Sequence, residues 1–302
     1  MIDFKRLDSS RREEYDRFLR SSGKGCEYTF VNLSIWGKQQ AAFFEDSLVL
    51  FSQFGRSSVY PFPIIRGDAK KVLDAIIADA QERNIRCRLT SLSEADCRLL
   101  QQLYPGRFRY YPDRDGYDYV YSIDALADLK GRKLQKKRNH LNRFRALHPD
   151  CRVVPITLDN LCPAQQLADR WYDYRQALDP DSEPHLERMA LHRAFARFRE
   201  LELEGILLME GDDVLAMAMG SRLNEDTFDI HFEKAREDID GAYAAINSAF
   251  AAYIREKHPE VKYLDREDDM GLPGLRKAKL SYCPEFLIEK SWCVLAEEED
   301  DY

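Results

Sequence analysis

Residues 227–257 read TFDIHFEKAREDIDGAYAAINSAFAAYIREK, and the spacing of the apolar residues changes once along this stretch. From Thr227 to Ala235 the pattern predicts a strand. From Asp240 onward, Ala242, Ile246, Ala249, Phe250 and Tyr253 recur at helical spacing, with Asp240 as the expected cap. Side chains alternate across a strand, so His231 and Glu233 are expected on one face and Phe232 on the other. Tyr243 and Asn247 stand one turn apart on the helix, Asn247 at the edge of the apolar stripe.

The same alternation of strand and helix extends outward in both directions. Upstream, residues 41–54 read as two strands around Glu45-Asp46-Ser47, and residues 58–65 as an edge strand interrupted by proline. Asp68 and Ser93 are N-cap candidates for the helices that follow them, and residues 116–123 form a further strand. Later, residues 205–223 form a hairpin turning at Glu210-Gly211-Asp212-Asp213. Helices follow Pro163 and Pro184, each placed in a first turn. A short helix covers residues 274–282, and one strand covers 286–295. These patterns predict an α+β chain of two domains, 1–130 and 131–302, each a sheet flanked by helices.

The 302 residues are 44% hydrophobic and 32% charged, with a formal net charge of −8, as in a globular protein. No apolar run approaches the roughly 20 residues that cross a bilayer, and the N-terminus lacks the apolar core of a signal peptide, so a cytoplasmic location is expected. The seven cysteines are scattered singly and the six histidines show no HExxH spacing, so reduced thiols and no metal are expected. The acidic end, AEEEDDY, reads as solvated chain.

Against this acidic background, residues 130–145 gather eight Lys and Arg with no Asp or Glu. On a helix, Leu134, Leu141 and Phe144 share one face, while Lys136, Asn139 and Arg143 lie opposite. Arg138 and Arg145 fall on the side expected to be buried, with Asn142 flanking them. A guanidinium there needs a partner, either a protein carboxylate or an anionic ligand group. Lys133, Lys136 and Lys137 read as surface charge that attracts an anion.

A second charged stretch, YLDREDDMGLPGLRKAKLSY, covers residues 263–282. Here Asp265, Arg266, Glu267, Asp268 and Asp269 leave a strand, and glycines turn the chain into a helix carrying Arg276, Lys277 and Lys279, followed by Tyr282. The glycines allow close approach by a ligand.

Three ordered segments, 119–144, 229–250 and 263–284, carry a resemblance that covers essentially the whole chain. They resemble a bacterial family related to the C-terminal catalytic domain of phosphatidylglycerol lysyltransferase. The resemblance implies two tandem GNAT (N-acetyltransferase-like) domains, each a mixed, mostly antiparallel sheet flanked by helices. That arrangement is shared with Fem-type aminoacyltransferases, which move an aminoacyl group from charged tRNA to a lipid or peptide. The loop REDIDGAY lacks the glycine spacing of a CoA pyrophosphate loop and carries three carboxylates.

The expected activity is therefore aminoacyl transfer from an anionic activated donor, charged tRNA, to an amine or hydroxyl of a small or peptide acceptor. The alternatives are acyl-CoA-dependent N-acyl transfer and a non-catalytic module binding an anionic metabolite or RNA. Attack on an activated ester needs a proton acceptor and a donor for the oxyanion. Glu233, Asp269 and Tyr282 are the catalytic candidates. Arg138, Asn142, His231, Tyr243, Asn247, Arg266, Glu267, Arg276 and Lys279 are the substrate-binding candidates, with Arg138 expected near Glu233 or Asp269 in one pocket of the second domain.

Overall fold

A computed structural model describes residues 2–178 and 185–296. Pro184 and the acidic end from Glu297 lie outside the described residues. The chain forms two compact units, each built on one seven-stranded sheet.

The first unit comprises Met1–Asp118, Asp268–Gly271 and Ile288–Tyr302. Its sheet runs in the order β1 (Lys5–Arg6), β2 (Lys38–Phe44), β3 (Ser47–Phe54), β4 (Ser57–Pro61), β5 (Arg88–Leu92), β14 (Ser291–Leu295), β6 (Phe108–Pro112). The β2–β3 hairpin turns on Glu45 and Asp46, both in the left-handed region, as a two-residue turn requires. Helices α1 (Arg12–Leu19), α2 (Phe30–Ile35), α3 (Ala69–Glu82) and α4 (Glu94–Leu103) accompany the sheet. Asp68 caps α3 through the amides of Lys70 and Lys71, and Ser93 caps α4 in a capping box with Asp96. Val72, Leu73, Ile76 and Ile77 of α3 pack with Phe51, Tyr60 and Leu89 to form the core.

The second unit comprises Tyr119–Glu267 and Leu272–Leu287. Its sheet order is β13 (Phe286–Ile288), β7 (Asp118–Ser122), β12 (Tyr263–Asp265), β11 (Thr227–Ala235), β10 (Asp213–Arg222), β9 (Glu204–Glu210), β8 (Arg152–Pro155). The helices are α5 (Ile123–Asp128), α6 (Gln135–Leu147), α7 (Leu161–Leu178), α8 (His185–Ala196), α9 (Ala242–Lys257) and α10 (Pro273–Leu280). Leu134, Leu141 and Phe144 are buried with Ile246, Phe250 and Ile254 of α9 against the sheet. Among the described pairings each sheet holds one parallel pair, β4 with β5 and β11 with β12, and is otherwise antiparallel.

Four expectations are corrected. The chain is not divided by one cut at 130: β7 joins the second sheet, and the C-terminal β14 returns to the first, between β5 and β6. The run 286–295 is therefore two strands in two sheets. β4 is not an edge strand. Its residues 57–59 pair with β3, and Tyr60 and Pro61 pair with β5, so the proline falls where pairing with β3 has ended. Asp240 does not cap α9; Gly241 takes that place at φ 82°, and Asp240 pairs with Arg143.

The seven cysteines are free. Among the described residues no helix is long and apolar enough to cross a membrane.

The first unit also buries an ion pair. Lys290 Nζ donates to Asp118 Oδ1 at 2.7 Å and to Glu27 Oε1 at 2.8 Å, and the amide of Cys26 donates to Asp118 Oδ2 at 2.9 Å. Burial is the largest influence and opposes the ammonium charge, but Asp118, Cys26 and Glu27 together outweigh it and hold Lys290 well above its ordinary value. Removing one partner of such a pair leaves an uncompensated buried charge, at a cost of about 3–5 kcal/mol. Asp118→Ala is expected to lose about that much unfolding free energy in urea denaturation, and Asp118→Ala with Lys290→Met to recover most of it. A single-variant loss under about 1 kcal/mol would contradict this reading.

Candidate active site

β11 and β12 run parallel only through the pairs Thr227–Tyr263, Phe228–Leu264 and Asp229–Asp265. Beyond Asp265 the chain turns away, with Glu267 at φ 58° in the left-handed region, while β11 continues alongside β10 to Ala235. The sheet therefore opens at the carboxyl end of its parallel pair, a place where α/β sheets commonly receive ligands.

A bulge decides which side chains face this opening. Asp229 pairs with Ser221 and Phe232 with Met219, so β11 carries one residue more than β10 between them. An extra residue reverses the alternation of faces beyond it. Phe228 packs on Phe250 of α9, and after the bulge Glu233 also reaches α9, at Asn247. Lys234 goes the other way, to Glu187 at 2.7 Å and to the face of Trp171. His231 and Glu233, expected on one face, are turned into separate surroundings. Their periodicity was right for an unbroken strand, and a bulge leaves no mark in it.

Glu233 is the centre of the α9-facing group. Its Oε1 accepts from Arg266 Nη2 at 3.0 Å and its Oε2 from Asn247 Nδ2 at 3.1 Å. The guanidinium lies 4.9 Å from the Tyr282 ring centroid and 5.7 Å from that of Tyr121. Burial is the largest influence and disfavours the Arg266 charge, but Glu233, Tyr121 and Tyr282 together outweigh it, so its value is raised. Burial pushes the Tyr282 phenol up to about 12, against the opposing pull of Arg266.

Lys137 places its ammonium 4.0 Å over the Tyr282 ring. Burial, and then the Arg266 charge, lower its value. Asn247 is fully buried, yet its Oδ1 has no hydrogen-bond partner among the described residues, and neither has Arg266 Nη1. Buried polar groups are almost always paired, so these two atoms stand out within the group.

The other candidates take different places. Lys279 donates to the backbone carbonyls of Arg266 and Glu267, which locks the turn after β12. Tyr121 in turn donates to the carbonyl of Lys279 at 2.9 Å. Tyr243 accepts from Trp171 Nε1 at 2.7 Å. His231 and Glu267 bond to each other at 3.1 Å.

Arg138 meets neither Glu233 nor Asp269. It is half-buried and its Nη1 donates to the carbonyls of Leu129 and Gly131, because the turn before α6 offers backbone acceptors closer than any carboxylate. Arg145 and Asn142 are exposed, and Arg276 is half-buried on α10. Asp269 belongs to the first unit, where its Oδ1 accepts from the amide of Gly271 at 2.9 Å.

Lys137 was expected at the surface. Its signal was available: it sits three residues after Leu134 and four before Leu141, on the apolar stripe itself.

Because Arg266 helps to hold the Lys137 value down, Arg266→Met should let Lys137 keep its proton to higher pH. The midpoint of Lys137 acetylation against pH, followed by mass spectrometry, is expected to move upward in that variant. An unchanged or lowered midpoint would show that the two cations do not interact.

Residues 19–294 match the family model described as phosphatidylglycerol lysyltransferase, C-terminal. A crystal structure of a conserved protein of unknown function from Bacteroides thetaiotaomicron VPI-5482 is 37% identical, with TM-score 0.92, covering 98% of this chain and 100% of that one. The L-PGS structure from Bacillus licheniformis is similar at TM-score 0.68 and 15% identity, over 99% of this chain and 95% of that one. FemX is similar at TM-score 0.63 and 13% identity, over 98% of each chain. The expected tandem GNAT fold is that of these structures and of a tandem GNAT protein from clavulanic acid biosynthesis. Uncharacterized protein MYCGA3080 of Mycoplasmoides gallisepticum is 28% identical over 178 residues, 57% of this chain and 54% of that relative, so the chain spans about half the length of the curated relative it matches. With nearly its whole length matched by one family and a 37% identical structure covered end to end, this chain belongs to the phosphatidylglycerol lysyltransferase C-terminal family.

Proposed function

We propose that this chain transfers an aminoacyl group from charged tRNA to an amine or hydroxyl of a small or peptide acceptor. Family membership supports the transferase class. The observation that carries the reading is the buried Glu233–Arg266–Asn247 group, with an acceptor atom and a donor atom left unpaired beside a carboxylate.

In the proposed step, a nucleophilic nitrogen or oxygen attacks the ester carbonyl. A bond from it to the carbonyl carbon forms, and the bond to the ribose oxygen breaks. Glu233 and Asn247 Oδ1 hold the ammonium of the reacting partner, and Glu233 takes the proton that an attacking amine loses. Arg266 Nη1 and the Lys137 ammonium face the developing oxyanion. Tyr282, with its phenol protonated at neutral pH, passes a proton to the ribose oxygen as it leaves.

The tRNA backbone would meet the exposed cations Arg132, Lys133, Lys136 and Arg145. Acyl-CoA fits less well. A Cβ on Gly241, at the start of α9, would stand 2.3 Å from the His140 carbonyl oxygen and 3.1 Å from Phe144 Cβ, so α6 covers the helix end that would cradle a pyrophosphate.

The test compares binding and transfer with total charged tRNA, the same tRNA deacylated, and acetyl-CoA, at low and moderate salt. Preference for charged tRNA and transfer to a nucleophile are expected. Glu233→Gln should lower transfer by about 10²–10⁴-fold. Tight acetyl-CoA binding with indifference to tRNA would overturn the reading. Separately, replacing Lys133 and Lys136 together by Ala should reduce the slope of log affinity against log salt by about two.

A further inference from the structure

On the other side of the bulge, three ligand-type atoms converge. His231 Nδ1 lies 3.1 Å from Glu267 Oε1 and 3.3 Å from Asp229 Oδ2. The ligand atoms of Asp229, His231 and Glu267 all lie within 4.8 Å of one another. The side chains of Asp229 and His231 are fully buried, and that of Glu267 is 19% exposed. The second ring nitrogen, His231 Nε2, is bonded to Ser221 Oγ at 2.8 Å.

We propose that Asp229, His231 and Glu267 form a site for one divalent first-row transition cation, zinc by preference. Four arguments support it. Bonds of about 2.0–2.2 Å in a tetrahedral site set ligand atoms about 3.3–3.6 Å apart, close to the two distances measured from Nδ1. An imidazole with two carboxylates is a donor set for zinc rather than for magnesium or calcium, which take oxygen. A metal-bound histidine has its other nitrogen fixed by a hydrogen bond, the part that Ser221 plays here. Three protein ligands leave a fourth position, reached from the exposed side of Glu267.

In the first unit Cys26, Glu27 and Asp118 also converge, and there the Lys290 ammonium stands among them. At Asp229, His231 and Glu267 a divalent cation would bind all three groups. The proposal is independent of the transfer reading, because Glu233 lies beyond the bulge.

The full chain, purified without chelator, is expected to carry one zinc per chain by elemental analysis. Cobalt(II) substitution should give the intense visible absorption of a tetrahedral ion. His231→Ala and Glu267→Gln should abolish the stoichiometric metal, and Ser221→Ala should weaken affinity by about 10–100-fold. Cobalt absorption of the unmodified chain does not depend on any variant folding. Absence of stoichiometric metal together with no cobalt band would overturn the site, as would metal retained at one per chain in folded Glu267→Gln.

Discussion

Two strands that run parallel for three residue pairs and then part are the constraint on which the second unit depends. A strand that loses one neighbour must keep its remaining hydrogen bonds or expose buried backbone groups. β11 keeps them with β10, at the expense of one residue inserted between Asp229 and Phe232. The turn at Glu267 sends the other strand away, and Lys279 fixes that turn by donating to its carbonyls. Arg266 and Glu267, adjacent in sequence, then reach Glu233 and His231 in separate surroundings. The candidate active site and the proposed cation site are two results of one divergence.

Both units bury charge, and the difference between them separates structure from function. Desolvating an ion is tolerable only when partners satisfy it. Lys290 is enclosed by Asp118 and Glu27, and the remaining oxygen of Asp118 accepts from the amide of Cys26. Arg266 has Glu233, yet one of its nitrogens and the amide oxygen of Asn247 are unpaired among the described residues. The first arrangement is complete in itself. The second leaves a donor and an acceptor atom over.

Much of this was readable in the chain. Asp68 and Ser93 cap their helices because an N-cap is a matter of neighbouring residues. Leu134, Leu141 and Phe144 are buried because a 3.6-residue period points them one way. Lys137 belongs to that same stripe, and reading it as surface charge set residue type above position. Glu233, Arg266, Asn247 and Tyr282 were singled out from the sequence, and the fold brings these four together.

The sequence by itself determined the order of strands and helices, the tandem sheets implied by its family resemblance, and the residues rich in chemistry. All of these rest on local spacing or on recognisable segments. Only the tertiary structure decided that residues 286–295 serve two sheets, that Arg138 turns to backbone carbonyls, and that a bulge parts His231 from Glu233. The reason is physical: pairing register and the choice of charge partner depend on residues far apart in the chain. The period of a single strand carries no record of what lies beside it.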